Sequence, residues 1–219
     1  MRVYLVIAAG GKGLRMGGGV PKQFRDWNGR PLLKATIEAF FGEGMPSISG
    51  LALAVPENRI AEVRAWPFPA PSFVVKGGET RQASVAAALA ALPDDHEAAV
   101  LIHDGVRPFP PSGPIREALA ALREWDGAVL AEPSTDTLKR VGRDLRILST
   151  EPREEFYRAQ TPQVARLGLW RDAFASADRD GFTGTDDVQL LERLGWRVKV
   201  IPAPGSNLKI TNPEDWARL

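Results

Sequence analysis

The sequence predicts an α/β protein. It should be a three-layer arrangement in which a mostly parallel sheet carries helices on both faces and one β-hairpin arm protrudes. Three observations predict this. Short apolar runs alternate along the chain with helical patterns. A glycine-rich, basic loop follows the first run, where open parallel sheets bind ligands. One polar segment, Pro133 to Gln163, breaks the rhythm and holds a hairpin signal.

In chain order the strands are expected at Val3–Ile7, Gly50–Val55, Ser72–Val75, Ala98–Ile102, Gly127–Ala131 and Arg197–Ile201. They read as near-continuous apolar runs, the pattern of strands buried on both faces. Helices are expected from Pro31, Glu79, Pro114, Arg166, Asp186 and Pro213. The last has Asn212 as its cap, Pro213 in its first turn and two acids following. Within 133–163, the runs TLKRV and LRILS flank GRD as a hairpin. So polar a hairpin buries little and is marginally stable alone, so it should lean on something else.

The 219 residues suit one domain, 1–219, with residues 133–163 as an arm. A net charge of +1 argues against a nucleic-acid binder that relies on a broad basic field, so any cationic site is local. The absence of cysteine removes disulfides and thiolate chemistry. Two histidines, His96 and His103, cannot build a histidine-rich zinc site. The apolar start is at the lower limit for a signal-peptide core and reads better as a first core strand. No run reaches the roughly 20 apolar residues of a membrane span, so the expectation is a soluble, cytoplasmic protein with no membrane partner.

The loop AAGGKGLRMGGGVPKQF, Ala8–Phe24, holds six glycines, two lysines and one arginine, and no acid. It is not a P-loop, because Gly13 follows Lys12 where serine or threonine is needed. It is not a dinucleotide fingerprint, because Met16 occupies the third glycine position. It is either a plain surface turn or an anion cradle. Glycines bring backbone N–H groups close to an anion, Arg15 and Lys22 add charge, and Pro21 fixes the backbone beside Lys22. These features favour a polyphosphate cradle.

The same residues resemble a known family. Gly11-x-Gly13-x-Arg15-Met16 with Pro21-Lys22-Gln23 resembles the signature of nucleotidyltransferases that activate phosphorylated sugars and polyols. GGETRQASV (77–85), HDGVRP (103–108), DTLKR (136–140), TPQ (161–163), TDD (185–187) and NLKITNPED (207–215) follow in order. Together they resemble the 2-C-methyl-D-erythritol 4-phosphate cytidylyltransferase family of isoprenoid precursor synthesis across nearly the whole chain. The resemblance implies a Rossmann-like fold and cytidylyl transfer from CTP to a polyol phosphate, with release of pyrophosphate.

It also implies roles. Arg15 and Lys22 would be catalytic, stabilising the transition state and leaving group. Ala9, Gly11, Gly13, Gly78, Glu79, Arg81, Ser84 and Asp104 would bind the nucleotide. Asp104 would also be a Mg2+ ligand, shared with triphosphate oxygens. Arg153, Lys209, Thr137, Arg107, Thr161, Thr185 and Asp186 would position the acceptor. A homodimer is implied, the arm of one chain reaching the site of the other. Without the resemblance, Glu79 and Arg81 read as a helix start, Asp104 with Arg107 as a surface ion pair, and Lys209 as a solvated lysine. His103 reads as a packed, hydrogen-bonded residue, since magnesium prefers oxygen. Two departures stand out: Ser206 occupies a position where the family usually has a carboxylate, and Gly105-Val106 replaces Ala-Ala. Three glycines, 17 to 19, suggest a loop that orders on binding.

A phosphate monoester with a second pKa near 6 is largely a dianion at neutral pH, so the nucleophile needs no general base. What the chemistry needs is preorganised positive charge. Three alternatives stay open on sequence: a cytidylyltransferase for another polyol phosphate such as ribitol 5-phosphate, a sugar-phosphate enzyme using UTP or GTP, and a non-catalytic nucleotide sensor.

Overall fold

In the computed structural model of the chain, residues 1–11, 20–203 and 205–217 are described. Gly13, Arg15 and the glycines at 17 to 19 lie outside them.

The first strand, β1 (Val3–Ala8), shows why an unbroken apolar run folds here as a strand. Successive side chains point to opposite faces, and both faces are covered. Val3, Leu5 and Ile7 join a cluster with Leu33, Ile37 and Phe40, which lie in or just after α1 (Leu32–Ala39). Ile115 and Ala118 of α4 (Ser112–Ala121) complete that side. Tyr4 and Val6 join a second cluster with Val85, Ala88 and Leu89 of α3 (Arg81–Ala91) and Trp170 and Phe174 of α5 (Leu167–Arg179). The result is helix, sheet, helix. The N-terminal run is thus a core strand, paired along both edges. Among the described residues no helix is long and apolar enough to cross a membrane.

The remaining strands are β2 (Asp26–Trp27), β3 (Arg30–Pro31), β4 (Gly50–Val55), β5 (Ser72–Lys76), β6 (Ala99–Asp104), β7 (Gly127–Pro133), β8 (Leu138–Val141), β9 (Ile147–Glu151), β10 (Tyr157–Arg166) and β11 (Val198–Pro202). Three short helices complete the set: α2 (Ile60–Arg64), α6 (Val188–Arg193) and α7 (Pro213–Trp216). Seven strands form the central sheet in the order β11-β7-β10-β6-β1-β4-β5. All neighbours pair in parallel except β10, which runs antiparallel to both β6 and β7. Ala8 and Asp104 are register partners, so the C-terminal ends of β1 and β6 open at the same edge.

The last helix begins at Pro213 as expected, while the other helix starts move by one to two residues, for local reasons. Thr80 caps α3, its hydroxyl accepting from the Ala83 N–H at 3.0 Å, so the helix begins at Arg81 and not Glu79. The helix expected from Pro114 begins at Ser112, which leaves Pro114 in the first turn, where its missing N–H costs no intrahelical bond. Asn212 caps α7, and the Asp215 carboxylate accepts from the Thr211 and Asn212 N–H groups at 2.7 and 2.9 Å.

The polar segment 133–163 needs correcting. Its C-terminal part is not arm but the start of β10, with Gln160, Thr161 and Gln163 buried between β6 and β7. Its sequence, YRAQTPQVAR, hides this: proline and glutamines interrupt the apolar pattern, and the pairing with β7 shifts register between Ala159 and Gln163. The Thr161–Pro162 peptide is cis. The hairpin proper is β8 with β9, a separate two-stranded sheet. Its second strand starts at Ile147 and not Leu145, because the turn takes Gly142–Arg146 and places Leu145 at φ 63°. The hairpin is less polar than expected, since Val141, Leu145, Ile147 and Leu148 are all exposed.

Candidate active site

Asp104 ends β6 at the open edge, and its side chain is almost fully buried. Three cations converge on it. Arg81, opening α3, donates through Nε to Oδ1 at 2.9 Å. Lys209 Nζ lies 2.9 Å from Oδ2, and Arg107 Nε donates to the same oxygen at 3.4 Å. Burial alone would raise the Asp104 pKa, yet Arg81, Lys209 and Arg107 hold it well below the usual carboxylate range. Arg81 also grips Asp187 with both guanidinium nitrogens, Nη1 and Nη2, each at 2.8 Å from a carboxylate oxygen. Burial raises the Asp187 pKa, the Arg81 guanidinium offsets part of that, and the neighbouring Asp104 and Asp186 carboxylates add to the rise. The two carboxylates in turn push the Arg81 guanidinium above its ordinary value, against burial.

The cations differ in freedom. The side chains of Arg81 and Lys209 are 34% and 41% exposed, so an arriving anion can reach both. Arg107 is buried, and its Nη1 is already given to the Asn207 carbonyl at 2.7 Å. The surface ion pair that the sequence allowed is therefore a buried pair inside a cluster.

Beneath Asp104 lies a second layer. The Thr161 hydroxyl accepts from the Asp104 N–H at 3.1 Å and sits 3.0 Å from His103 Nδ1. His103 Nε2 meets the Arg107 carbonyl at 3.0 Å. Burial lowers the His103 pKa to about 4, so the ring is neutral at ordinary pH. A carbonyl only accepts, so Nε2 carries the proton and Nδ1 accepts from Thr161. His103 is the packed, hydrogen-bonded residue that was expected.

The first loop is held at its described ends. Gln23 is buried and its Nε2 donates to both the Ala9 and Gly11 carbonyls at 2.7 Å. Its neighbour Lys22 donates through Nζ to the Ile210 carbonyl at 2.8 Å, one residue along from Lys209. Lys22 and Lys209 thus share one edge despite their distance in sequence. Gly10 and Gly77 have to be small: a Cβ on Gly77 would come within 2.8 Å of the Gly10 Cα, and one on Gly10 within 2.7 Å of Ser84 Oγ. Close backbone approach therefore brings the first loop against the 77–84 block. Gly78 and Glu79 are exposed beside it, and the buried Ser84 hydroxyl donates to the Thr80 carbonyl at 2.9 Å.

Other candidates are placed differently. Asp186 spends its oxygens on the start of α6, accepting from Gln163 Nε2 at 3.0 Å and the Gln189 N–H at 3.1 Å. The exposed Thr185 donates to Gln189 Oε1. Asp187, not Asp186, is the acid of TDD that joins the cluster, and spacing could not choose between them. Thr137 and Arg153 lie exposed on the arm, where Arg153 donates through Nη1 to the Thr135 carbonyl at 3.2 Å. Among the described residues no hydrogen bond or ion pair joins either to the Asp104 cluster. Gln23, Gln160 and Asn207 were missed as well, since buried amides carry no charge signal.

The described residues contain no group of three or more acids and histidines arranged for a metal. Magnesium takes one or two carboxylates and fills its shell with phosphates and water. Asp104 fits as a single such ligand once Arg81 or Lys209 exchanges it for a phosphate oxygen. A cavity of about 590 Å³ lies elsewhere, between α3 and α5, walled by Ala86, Leu89, Phe174 and Phe182 among others. Its walls include none of Lys22, Asp104 or Lys209.

Residues 3–219 match the family described as 2-C-methyl-D-erythritol 4-phosphate cytidylyltransferase. A relative of that name from Acidobacterium capsulatum is 41% identical, covering 98% of this chain and 94% of its own. One from Geotalea uraniireducens is 40% identical with the same coverage. Among solved structures, 4-diphosphocytidyl-2C-methyl-D-erythritol synthase from Anaerococcus prevotii superposes with a TM-score of 0.85 at 29% identity, covering 99% and 95% of the two chains. The cytidylyltransferase of Thermus thermophilus gives 0.78 at 34% identity, covering 100% and 97%. The chain belongs to the 2-C-methyl-D-erythritol 4-phosphate cytidylyltransferase family.

Proposed function

From this membership we propose that the chain transfers the cytidylyl group of CTP to 2-C-methyl-D-erythritol 4-phosphate, a step of isoprenoid precursor synthesis. The observation that carries the reading is the buried Asp104 gathering Arg81, Arg107 and Lys209 beside Lys22 at the open sheet edge. A phosphate oxygen of the acceptor attacks the α-phosphorus of CTP. The bond from that phosphorus to the α,β-bridging oxygen breaks, and pyrophosphate leaves with the electron pair. The barrier is electrostatic, since a dianion approaches a triphosphate and charge grows on the bridging oxygen.

Fixed cations lower that barrier because they need no reorganisation as the charge develops. Lys22 and Arg15 stabilise the leaving pyrophosphate. Lys209 holds the acceptor phosphate, with Asp104 and the buried Arg107 fixing where it stands. Thr161 supports Asp104 from beneath, and Thr185 and Asp186 shape the α6 edge through which Asp187 holds Arg81. Ala9, Gly11 and Gly13 belong to the loop that cradles the triphosphate, and Gly78, Glu79 and Ser84 surround the cytosine and its ribose. Backbone carbonyls near Gly78 suit the exocyclic amine of cytosine, a donor that uracil lacks. Asp104, together with the triphosphate oxygens, would hold magnesium, which would supply neutralisation of the triphosphate charge.

The single domain spans 1–219, and its arm makes a homodimer in which Thr137 and Arg153 of one protomer serve the other's acceptor. The exposed apolar residues of the hairpin and its lack of a core of its own support this. The compartment in this reading is the cytoplasm.

The test is ³¹P NMR of purified protein with each of the four nucleoside triphosphates and several polyol phosphates. Equimolar pyrophosphate and cytidine-diphosphate-linked methylerythritol are expected from CTP and methylerythritol phosphate alone. EDTA should stop the reaction and magnesium restore it. CTP binding without product from any acceptor would leave only a nucleotide sensor.

A further inference from the structure

The loop that carries Lys209 is pinned by a chain of polar side chains, Glu132, Gln160 and Asn207, that no step above uses. Glu132, near the end of β7, pairs across the sheet with Arg158 on β10, whose Nη2 lies 2.9 Å from Oε2. The same oxygen accepts from Gln160 Nε2 at 3.5 Å. Gln160 Oε1 accepts from Asn207 Nδ2 at 2.9 Å, and that nitrogen also donates to the Thr161 carbonyl at 2.7 Å. The Asn207 carbonyl takes the Arg107 Nη1 donor at 2.7 Å. Three residues on, the Ile210 N–H donates to the Val106 carbonyl at 3.0 Å. Lys209 therefore sits between two fixed points.

The chemistry of the chain allows one orientation. A carboxylate only accepts, so Gln160 turns its NH2 toward Glu132 and its carbonyl toward Asn207. The Thr161 carbonyl also only accepts, so Asn207 must present its nitrogen to both. Among the described residues its buried Oδ1 has no hydrogen-bond partner. At the loop entry, a Cβ on residue 205 would stand 2.6 Å from Glu132 Oε1, so glycine there lets the carboxylate lie against the loop.

We propose that Glu132, Gln160 and Asn207 form a relay that positions Lys209, and that Glu132, by fixing the direction of the Gln160 amide, sets it. All three are positioning residues that act through Lys209. The inference rests on the reading that Lys209 holds the acceptor phosphate.

The experiment is steady-state kinetics of Glu132→Ala and Glu132→Gln, each in the wild-type and Lys209→Ala backgrounds, with hydrogen exchange across residues 205–210. Glu132 is partly exposed, so both variants should fold. Glu132→Ala should raise KM for the acceptor about 5-fold and leave KM for CTP unchanged, as for loss of a ground-state binding contact. Glu132→Gln should restore it, because its amide oxygen can still accept from Gln160. In the Lys209→Ala background Glu132→Ala should add nothing, the non-additivity of residues acting through one another. Exchange at Asn207–Ile210 should quicken in Glu132→Ala in both backgrounds. Gly205→Ala, which displaces the carboxylate, should reproduce the same signature.

Equal shifts in both KM values, no shift, or a full Glu132→Ala effect without Lys209 would overturn the relay. So would unchanged exchange at the loop. If Lys209→Ala itself left the acceptor KM untouched, the role given to Lys209 would fall instead, and exchange would still decide whether the relay orders the loop.

Discussion

The sheet edge and the hairpin arm use the same charged residue types to opposite ends. At the edge the bonds are long-range and shielded. Arg81 reaches Asp187 across 106 residues, and Lys22 reaches the Ile210 carbonyl across 188. In the arm the pairs are local and exposed: Arg140 with Glu151 and Lys139 with Thr150, each across the hairpin. Shielded charges are strongly coupled and fix geometry, whereas exposed pairs are screened and contribute little. The edge is organised by its own chain. The arm leaves Val141, Leu145, Ile147 and Leu148 in solvent. The proposed shared site needs that difference: an organised edge in one protomer and an arm that finds its cover on the other.

The largest break in that comparison should come from Asp104→Asn. It leaves Arg81, Arg107 and Lys209 facing one another around a neutral amide, and removing one partner of a buried charge cluster costs about 3–5 kcal/mol. Chemical denaturation should show that loss, and pyrophosphate release should fall with it. Unchanged stability would mean the cations are not organised by Asp104.

Next, Lys22→Ala should cut turnover by roughly 10²-fold or more while moving the melting temperature little, the signature of lost transition-state charge stabilisation. Arg15→Ala should match it in turnover. Normal turnover in Lys22→Ala would remove the catalytic role. The smallest effect belongs to the arm. Arg140→Ala breaks a surface pair and should leave the melting temperature unchanged within error. A clear fall would show that the arm is stabilised from within.

These outcomes also mark what the sequence could and could not show. The parallel strands were legible because strands covered on both faces have to be apolar, as Leu51–Val55 and Leu101–Ile102 are. β10 was not, because Gln160, Thr161 and Gln163 are buried for their hydrogen bonds and not for their hydrophobicity. The same logic divides the site. Lys22, Asp104 and Lys209 stood out as charges in ordered motifs. Gln23, Gln160 and Asn207 did not, because an amide's worth depends on which acceptor it meets across the fold. Asp186 and Asp187 are adjacent identical acids, and only the turn into α6 decides that Asp187 faces Arg81.

The most direct measurement of the shared site is complementation between Lys22→Ala and Arg153→Ala, two variants expected to be inactive alone. The proteins are mixed in equal amounts under conditions that allow subunit exchange, and heterodimer formation is verified by mass spectrometry. If Arg153 serves the partner's site, a mixed dimer holds one site with both defects and one with neither. Random exchange makes about half the dimers mixed, so roughly a quarter of wild-type activity should return. No recovery despite proven heterodimers, or a protein that is monomeric in solution, would contradict the account and place each site within one chain.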